Sequence, residues 1–135
     1  MEMRKVELEW SLLALRLTIF LVMLIWTFDK FMNPGHAAKV YENFYFIGGM
    51  ESMAIFMIGL VEIVILLGFI AGLFKKHTYG LVLLLHAIST LSSYKQYLAP
   101  YDGVNILFFA AWPMLAACLA LYLLRDYHTK FVLGR

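Results

Sequence analysis

Four long apolar runs constrain the fold more than any other feature of this sequence. Residues 10–28, 53–74, 79–97 and 104–124 each approach the ~20 residues with which an α-helix crosses about 30 Å of hydrocarbon. Hydrophobic residues make up 63% of the chain, more than a soluble domain of this size can cover with polar side chains. The runs therefore predict an all-α integral membrane protein. Its single domain, residues 1–135, would be a four-helix bundle.

The distribution of lysine and arginine predicts the orientation of this bundle. One side would carry seven of these residues, Arg4, Lys5, Lys75, Lys76, Arg125, Lys130 and Arg135, and the other side three, Lys30, Lys39 and Lys95. Cytoplasmic loops are enriched in lysine and arginine. Both termini are therefore predicted to be cytoplasmic, which agrees with an even number of crossings.

The connection between the first two runs is the longest in the chain. Pro34-Gly35 stands near its start, and Gly48-Gly49 breaks the chain before the second run. Between these breaks, residues 37–46 include enough apolar and aromatic side chains for a short helix at the membrane interface.

Arg16, Glu62 and His86 lie well inside the apolar runs, where a lone charge is costly. Arg16, Glu62 and His86 fall at similar depths if the helices alternate in direction and rise 1.5 Å per residue. We expect an ion pair between Arg16 and Glu62, with His86 nearby. Such a cluster either locks the helices together or forms a functional pocket, and the sequence leaves both interpretations open.

Polar residues also follow one face of the third run and gather at the outer ends of the runs. The stripe on the third run begins at His86 and continues with Ser89, Thr90, Ser93, Gln96 and Tyr97. Either it forms hydrogen bonds between helices, or it lines a polar cavity. The predicted outer cluster consists of Asp29, Lys30, Glu51, Lys95 and Asp102. These residues are either solvated anchors or the wall of a vestibule.

The fourth run offers two candidate pocket-lining residues, and the sequence predicts no metal site. Asn105 and Trp112 are seven residues apart and so share a helix face, and Pro113 is expected to bend the helix. The histidines, His36, His77, His86 and His128, are scattered without HxxH or HxxxH spacing, so neither a metal site nor a b-type haem is predicted. The sequence contains one cysteine, which excludes an intrachain disulfide.

Short motifs in the first two runs resemble those of the DoxX family of small four-span bacterial membrane proteins. They are Leu15-Arg16-Leu17, Trp26-x-x-Asp29-Lys30-Phe31 with Pro34, Gly59-x-x-Glu62 with Gly68, and Gly72-Leu73-Phe74. Arg16, Lys30 and Glu62 match positions that are typical of the family. The resemblance implies a multi-pass protein of the bacterial inner membrane. The family's namesake is associated with a thiosulfate:quinone oxidoreductase, which implies a quinone-linked role.

The first functional hypothesis is therefore a redox-associated membrane subunit that binds a quinone or a similar lipid-soluble molecule. Arg16, Glu62 and His86 would supply hydrogen bonds or a proton path, and a redox partner subunit would supply the electrons. One alternative is passage or binding of a small polar solute or anion, which in so narrow a bundle would require a homo-oligomer. Another is a non-catalytic membrane assembly protein. No catalytic residue is assigned. The net charge of +2, without a basic stripe, argues against nucleic-acid binding.

Overall fold

The protein is represented by a computed structural model that describes residues 2–134, and Met1 and Arg135, the latter counted above in the charge distribution, lie outside the described residues. Helices make up most of these residues, and no strand occurs among them. The α-helices are α1 (Glu2–Met32), α2 (Pro34–Tyr45), α3 (Ser52–Ala71), α4 (Lys75–Ser92), α5 (Tyr94–Leu98) and α6 (Ala111–Leu123). Two 3₁₀ helices, Asn105–Ala110 and Arg125–Tyr127, flank α6. The all-α prediction is confirmed.

Three helical segments are long and apolar enough to cross a membrane, judged by length and composition: Arg4–Met32, Ser52–Ala71 and Asn105–Leu123. The predicted span 79–97 is not among those found in residues 2–134. Its helix α4 is 18 residues long and gives way to the short α5 at Ser93. Two lysines at the start of α4 and the polar residues from His86 onward lower its mean hydropathy.

The helix ends differ from the predicted ends for identifiable reasons. Helix α1 continues past Phe28 to Met32, since no proline or glycine interrupts it. Helix α3 stops at Ala71 because Gly72 adopts a left-handed conformation, with a φ of 68°, that caps the helix. Around Pro113, the chain changes from a 3₁₀ helix to an α-helix at Ala111, which places the proline in the first turn of α6.

The predicted short helix between the first two runs is present as α2. It begins at Pro34, because a proline has no N–H to lose in the first turn of a helix. It ends at Tyr45, and Phe46 follows in a left-handed conformation. Ala37 is buried, and α2 packs against α1, α3 and α4. Helix α2 thus covers one end of these three helices.

The four long segments each pack against two others. Helix α1 contacts α3 and α6, and α4 contacts the same two helices. Helix α1 turns one stripe of residues inward, at spacings of three and four, with Leu12, Ile19 and Met23 in the core. Polar residues interrupt this stripe: Glu9 precedes Leu12, Arg16 lies between Leu12 and Ile19, and Thr27 follows Met23.

Residues 125–134, here called the C-terminal segment, close the end of the molecule opposite α2. The backbone N–H of Leu133 donates to the carbonyl of Ala71 at 2.8 Å, and the backbone N–H of Thr129 donates to the Glu9 carboxylate at 2.9 Å. The beginning of α1 and the C-terminal segment therefore lie at the same end of the molecule.

Candidate functional site

An ion pair lies close to the α2 end of the molecule, and we call it the outer ion pair. Lys30 Nζ is 3.0 Å from Glu62 Oε2, and the two side chains are only 12% and 13% exposed. The Thr27 hydroxyl donates to the same carboxylate oxygen at 2.9 Å. Tyr41 of α2 lies beside the pair, with its ring centroid 5.9 Å from Lys30 Nζ. Burial and the nearby Glu62 carboxylate raise the pKa of Tyr41 to about 12, so its phenol is neutral at pH 7.

The predicted ion pair between Arg16 and Glu62 is wrong. Glu62 faces Thr27, which follows Arg16 by eleven residues, or about 16 Å along the helix. The ring of Phe31 lies so close to Gly59 that a Cβ added there would meet it at 2.7 Å. The predicted helix ends would place Glu62 beside residues 19–22 of α1, so the observed packing shifts α3 by about five to eight residues, or about 8–12 Å. Helix α1 extends beyond its apolar run to Met32, so Lys30 lies in its last turn and contacts Glu62.

The predicted outer cluster does not assemble. Lys30 pairs with Glu62 and not with a member of the predicted cluster. Asp29 pairs with His36, whose Nδ1 is 2.6 Å from Asp29 Oδ2. Lys95 lies over the ring of Phe46, 6.0 Å from its centroid. Glu51 and Asp102 are exposed, which is the behaviour of solvated residues at an interface.

A second polar group, the inner polar cluster, fills the end closed by the C-terminal segment. Its members are Glu9, Arg16, Lys75, Tyr79 and His128, all of them buried. Arg16 Nη2 donates to the carbonyl of Phe131 at 2.8 Å. Lys75 Nζ donates to the carbonyls of His128 and Arg125 at 2.6 and 3.1 Å. Both carboxylate oxygens of Glu9 accept from Thr129. Side chains of α1 and α4 thus hold the C-terminal segment in place.

His128 lies at the centre of these charges and is 0% exposed. Burial, reinforced by the positive charges of Arg16 and Lys75, lowers the pKa of His128 to about 4, although Glu9 opposes the shift. The imidazole is therefore neutral at pH 7. Neither of its ring nitrogens has a hydrogen-bond partner within residues 2–134.

The polar stripe of α4 divides into a buried part and a partly exposed part. His86, Thr90 and Ser93 are buried, whereas Ser89, Gln96 and Tyr97 are half-buried. His86 Nε2 lies 3.0 Å from the carbonyl of Ala111, and the Tyr97 hydroxyl donates to the carbonyl of Thr90 at 2.8 Å. The stripe thus forms hydrogen bonds between α4 and its neighbours, and its two serines also line a cleft.

This lateral cleft has a volume of about 660 Å³ and opens between α1 and the segment that contains α6. Trp26 lies on the α1 side, and Ser89 and Ser93 contribute hydroxyls from α4. On the side of α6, the small side chains of Ala110, Ala111 and Ala117 leave room for the cleft. The full lining is Thr18, Ile19, Val22, Trp26, Ser89, Ser93, Leu107, Phe108, Ala110, Ala111, Pro113, Met114 and Ala117. The cleft is therefore mostly apolar, with a few hydroxyl groups.

His86 lies directly behind the cleft wall. Its ring stacks on Trp26, with the centroids 5.9 Å apart, and Trp26 itself lines the cleft. Because Nε2 faces the Ala111 carbonyl, it carries the proton, and Nδ1 is left as an acceptor. This Nδ1 is buried and has no partner among the described residues. Of the predicted trio, His86 alone neighbours the cleft.

The two predicted pocket-lining residues do not line the cleft, and this prediction is corrected. Asn105 donates to the carbonyl of Ala99 at 2.9 Å, so it caps the turn before α6. Trp112 is exposed at its edge and packs on Tyr97, with ring centroids 5.4 Å apart. The 3₁₀ helix before α6 changes the rotation per residue, so positions seven apart no longer share a face.

Several site residues escaped the sequence analysis. Glu9 stands two turns before Arg16 on the same helix face, a spacing that signals a shared environment. For Lys75 and His128 the sequence gives no signal, since both lie in connections that appear solvated until the C-terminal segment folds over them. Trp26 was noted only as part of a motif.

Comparisons of the chain with protein-family models, curated proteins and solved structures find no match. The fold and the site define the class, an all-helical protein with three candidate membrane spans. Within residues 2–134 no three His, Cys, Asp or Glu side chains converge in the manner of a metal site. The lateral cleft has a volume in the range of small-molecule sites.

Proposed function

We propose that this chain is a four-span membrane protein that binds a quinone, or a similar lipid-soluble ring compound, in the lateral cleft. The observation that carries this proposal is the cleft itself, with its volume of about 660 Å³ and its apolar lining interrupted by few hydroxyls. Small-molecule sites typically measure about 300–1,000 Å³ and combine apolar walls with a few polar groups that fix orientation.

The chemistry of the lining suits a flat ring with carbonyl oxygens. The indole of Trp26 offers a face on which a ring can stack, and the hydroxyls of Ser89 and Ser93 can donate to a carbonyl oxygen. The free Nδ1 of His86, one layer behind Trp26, is an acceptor near the ligand. Electrons for a redox reaction would come from a partner subunit, as in the first hypothesis from the sequence.

The cleft lies between segments that are suited to lipid. Helix α1 and the segment Asn105–Leu123 are both candidate spans, so the cleft opens at membrane depth and a ligand would enter from the bilayer. In this proposal α4 is the fourth span, its polar stripe turned toward α6. Both termini then face the cytoplasm, and the contact of Thr129 with Glu9 supports a shared side.

The resemblance to the DoxX family supports placement in the bacterial cytoplasmic membrane. Two of the three positions that carry the resemblance, Lys30 and Glu62, form the outer ion pair. The third, Arg16, lies in the inner polar cluster. The ion pair therefore belongs to the packing of α1 on α3, and the proposed ligand site is the cleft on the other side of α1.

Binding to the cleft is tested by filling it. Ala110 and Ala116 are both exposed alanines, but only Ala110 lines the cleft. The protein is purified in dodecyl maltoside and titrated with a short-chain quinone, and quenching of tryptophan fluorescence reports binding. We expect Ala110→Phe to weaken binding at least about tenfold, and Ala116→Phe to bind as the unaltered protein does.

The serine hydroxyls provide a second, more conservative test. Ser89→Ala with Ser93→Ala should weaken quinone binding by about tenfold and leave the affinity for a ring of equal size without carbonyls unchanged. Equal quenching by quinone in the Ala110→Phe and Ala116→Phe variants would refute the cleft as the site. Equal affinity for the two ring compounds would refute the quinone class.

A further inference from the structure

The inner polar cluster contains more hydrogen-bond donors than acceptors. Arg16 is 2% exposed, and its Nε and Nη1 groups have no partner within residues 2–134. The buried hydroxyl of Tyr79, which lies beside the Arg16 guanidinium, is also unpaired. His128 adds two unpaired ring nitrogens, one of which carries a proton in the neutral ring. A buried donor without a partner is costly, so this group requires an acceptor.

The nearby carbonyl and carboxylate acceptors are already in use. The Phe131 carbonyl accepts from Arg16 Nη2, and the His128 carbonyl accepts from Lys75. Both oxygens of Glu9 accept from Thr129. The acceptors that remain, the Tyr79 hydroxyl oxygen beside the guanidinium and the unprotonated ring nitrogen of His128, are fewer than the unpaired N–H and O–H donors of Arg16, Tyr79 and His128.

The charges of the cluster show the same imbalance. Arg16 and Lys75 are cations and Glu9 is an anion, so two of the three buried charges are positive. No ion pair within 4.0 Å links them in the described part of the chain. The Asp126 carboxylate attracts Lys75 more strongly than Glu9 does, but it is exposed to solvent and so lies outside the buried group of charges. One more negative charge inside the cluster would balance it.

We propose that the inner polar cluster binds one small monovalent anion, such as chloride, held by Arg16, Tyr79 and His128. The anion accepts from the guanidinium Nε and Nη1, from the phenol and from the protonated ring nitrogen. It supplies the acceptor and the negative charge that the cluster lacks. This site lies under the C-terminal segment, away from the lateral cleft, and does not depend on the proposed quinone function.

Enclosure selects the size of the anion. The unpaired atoms have almost no solvent-accessible surface, and the C-terminal segment is tied over them by Glu9, Arg16 and Lys75. A phospholipid headgroup or a large organic anion would have to displace this segment. A halide ion is small enough to exchange its water shell for the protein donors without displacing the segment, and this is the class of anion we propose.

The test is a thermal unfolding measurement of the full chain in dodecyl maltoside, a detergent without charge. Sodium gluconate at fixed ionic strength is replaced stepwise by sodium chloride, and unfolding is followed by circular dichroism. We expect the midpoint to rise saturably with chloride, by about 5 °C, because a ligand that binds the folded state stabilises it.

Tyr79→Phe removes one donor and preserves the ring that packs in the core. This variant should need at least about tenfold more chloride for half of the effect, since hydrogen bonds to charged groups are strong. Tyr127→Phe is the matched control, because Tyr127 belongs to the C-terminal segment but is 63% exposed. It should respond to chloride as the unaltered protein does. Arg16→Gln should abolish the response if it folds.

Three outcomes would overturn the proposal. The first is an equal unfolding midpoint in chloride and gluconate for the unaltered protein. The second is an unchanged chloride dependence in Tyr79→Phe. The third is stabilisation by added phosphatidylglycerol but not by chloride, which would assign the donors to a lipid headgroup.

Discussion

A double-mutant cycle on Glu62 tests the register in which α1 and α3 pack. Lys30→Met and Glu62→Leu remove the two charges of the outer ion pair, singly and together, while preserving much of each side chain's volume. The parallel cycle pairs Glu62→Leu with Arg16→Met, the partner that the sequence predicts. The two cycles share one variant and differ only in the cation, so they ask directly which cation Glu62 faces.

The expected magnitudes follow from the geometry. Lys30 Nζ and Glu62 Oε2 are 3.0 Å apart. At an effective dielectric constant of about 20, this separation gives an attraction of about 5 kcal/mol, much of which offsets the loss of hydration. Removing one partner should lower the free energy of unfolding by about 3–5 kcal/mol, because the other charge stays buried. Removing both should cost less, which leaves a coupling energy of about 2–3 kcal/mol.

The cycle with Arg16 should show almost no coupling. Arg16 is about 16 Å from the level of Glu62 along α1. Substitutions so far apart add to within about 0.5 kcal/mol, even where each is destabilising by itself. Arg16→Met should be destabilising through the lost contact with Phe131, and that loss should simply add to the effect of Glu62→Leu.

The assay is reversible unfolding in mixed micelles of dodecyl maltoside and sodium dodecyl sulfate, followed by tryptophan fluorescence. Thr18→Val is a control variant: Thr18 is exposed and donates only to carbonyls of its own helix, and we expect little change. A coupling energy of 2 kcal/mol or more between Arg16 and Glu62, or none between Lys30 and Glu62, would refute the register described here.

Two further outcomes are expected. Gly72→Ala should lower the unfolding midpoint, because Gly72 has a φ of 68° and an added Cβ would meet Val132 at 2.6 Å. Gly35→Ala is the control, because nothing lies within 4 Å of a Cβ added there. An equal effect of the two substitutions would contradict this account. The pKa of His128 lies near 4 in the folded protein and is higher in the unfolded chain, so its contribution to stability is complete above about pH 6.5 and is lost as the pH falls toward 4. His128→Gln should flatten this part of the stability profile, and an unchanged slope would contradict the assignment.

Hydropathy predicts the helical class well, because membrane-scale apolar runs leave the backbone few alternatives to the helix. Three of the four predicted spans correspond to segments long and apolar enough to cross a membrane. For 79–97, the polar stripe that includes His86 lowers the hydropathy of α4, and its hydrogen bonds to neighbouring helices become visible only in the packed structure.

The partners of the buried charges were harder to predict. Depth estimates from helix ends carry an error of several residues, and each residue moves a side chain by 1.5 Å. Such an error assigned Glu62 to Arg16 in place of Lys30, although the sequence analysis names all three residues. The part of the cleft wall that the fourth run supplies was missed for a related reason, since a change of helix type before Ala111 alters which residues of that run share a face.

The sequence by itself determined that this chain is helical and that apolar runs dominate it. It also showed that Arg16, Lys30, Glu62 and His86 are polar residues inside or beside those runs. These properties depend on composition and spacing along one helix, which a linear pattern records. Only the tertiary structure decided which charges meet, where the cleft opens, and that the C-terminal segment covers Arg16. Those features depend on register between helices and on contacts such as that of Arg16 with Phe131, 115 residues apart in sequence, which no local pattern encodes.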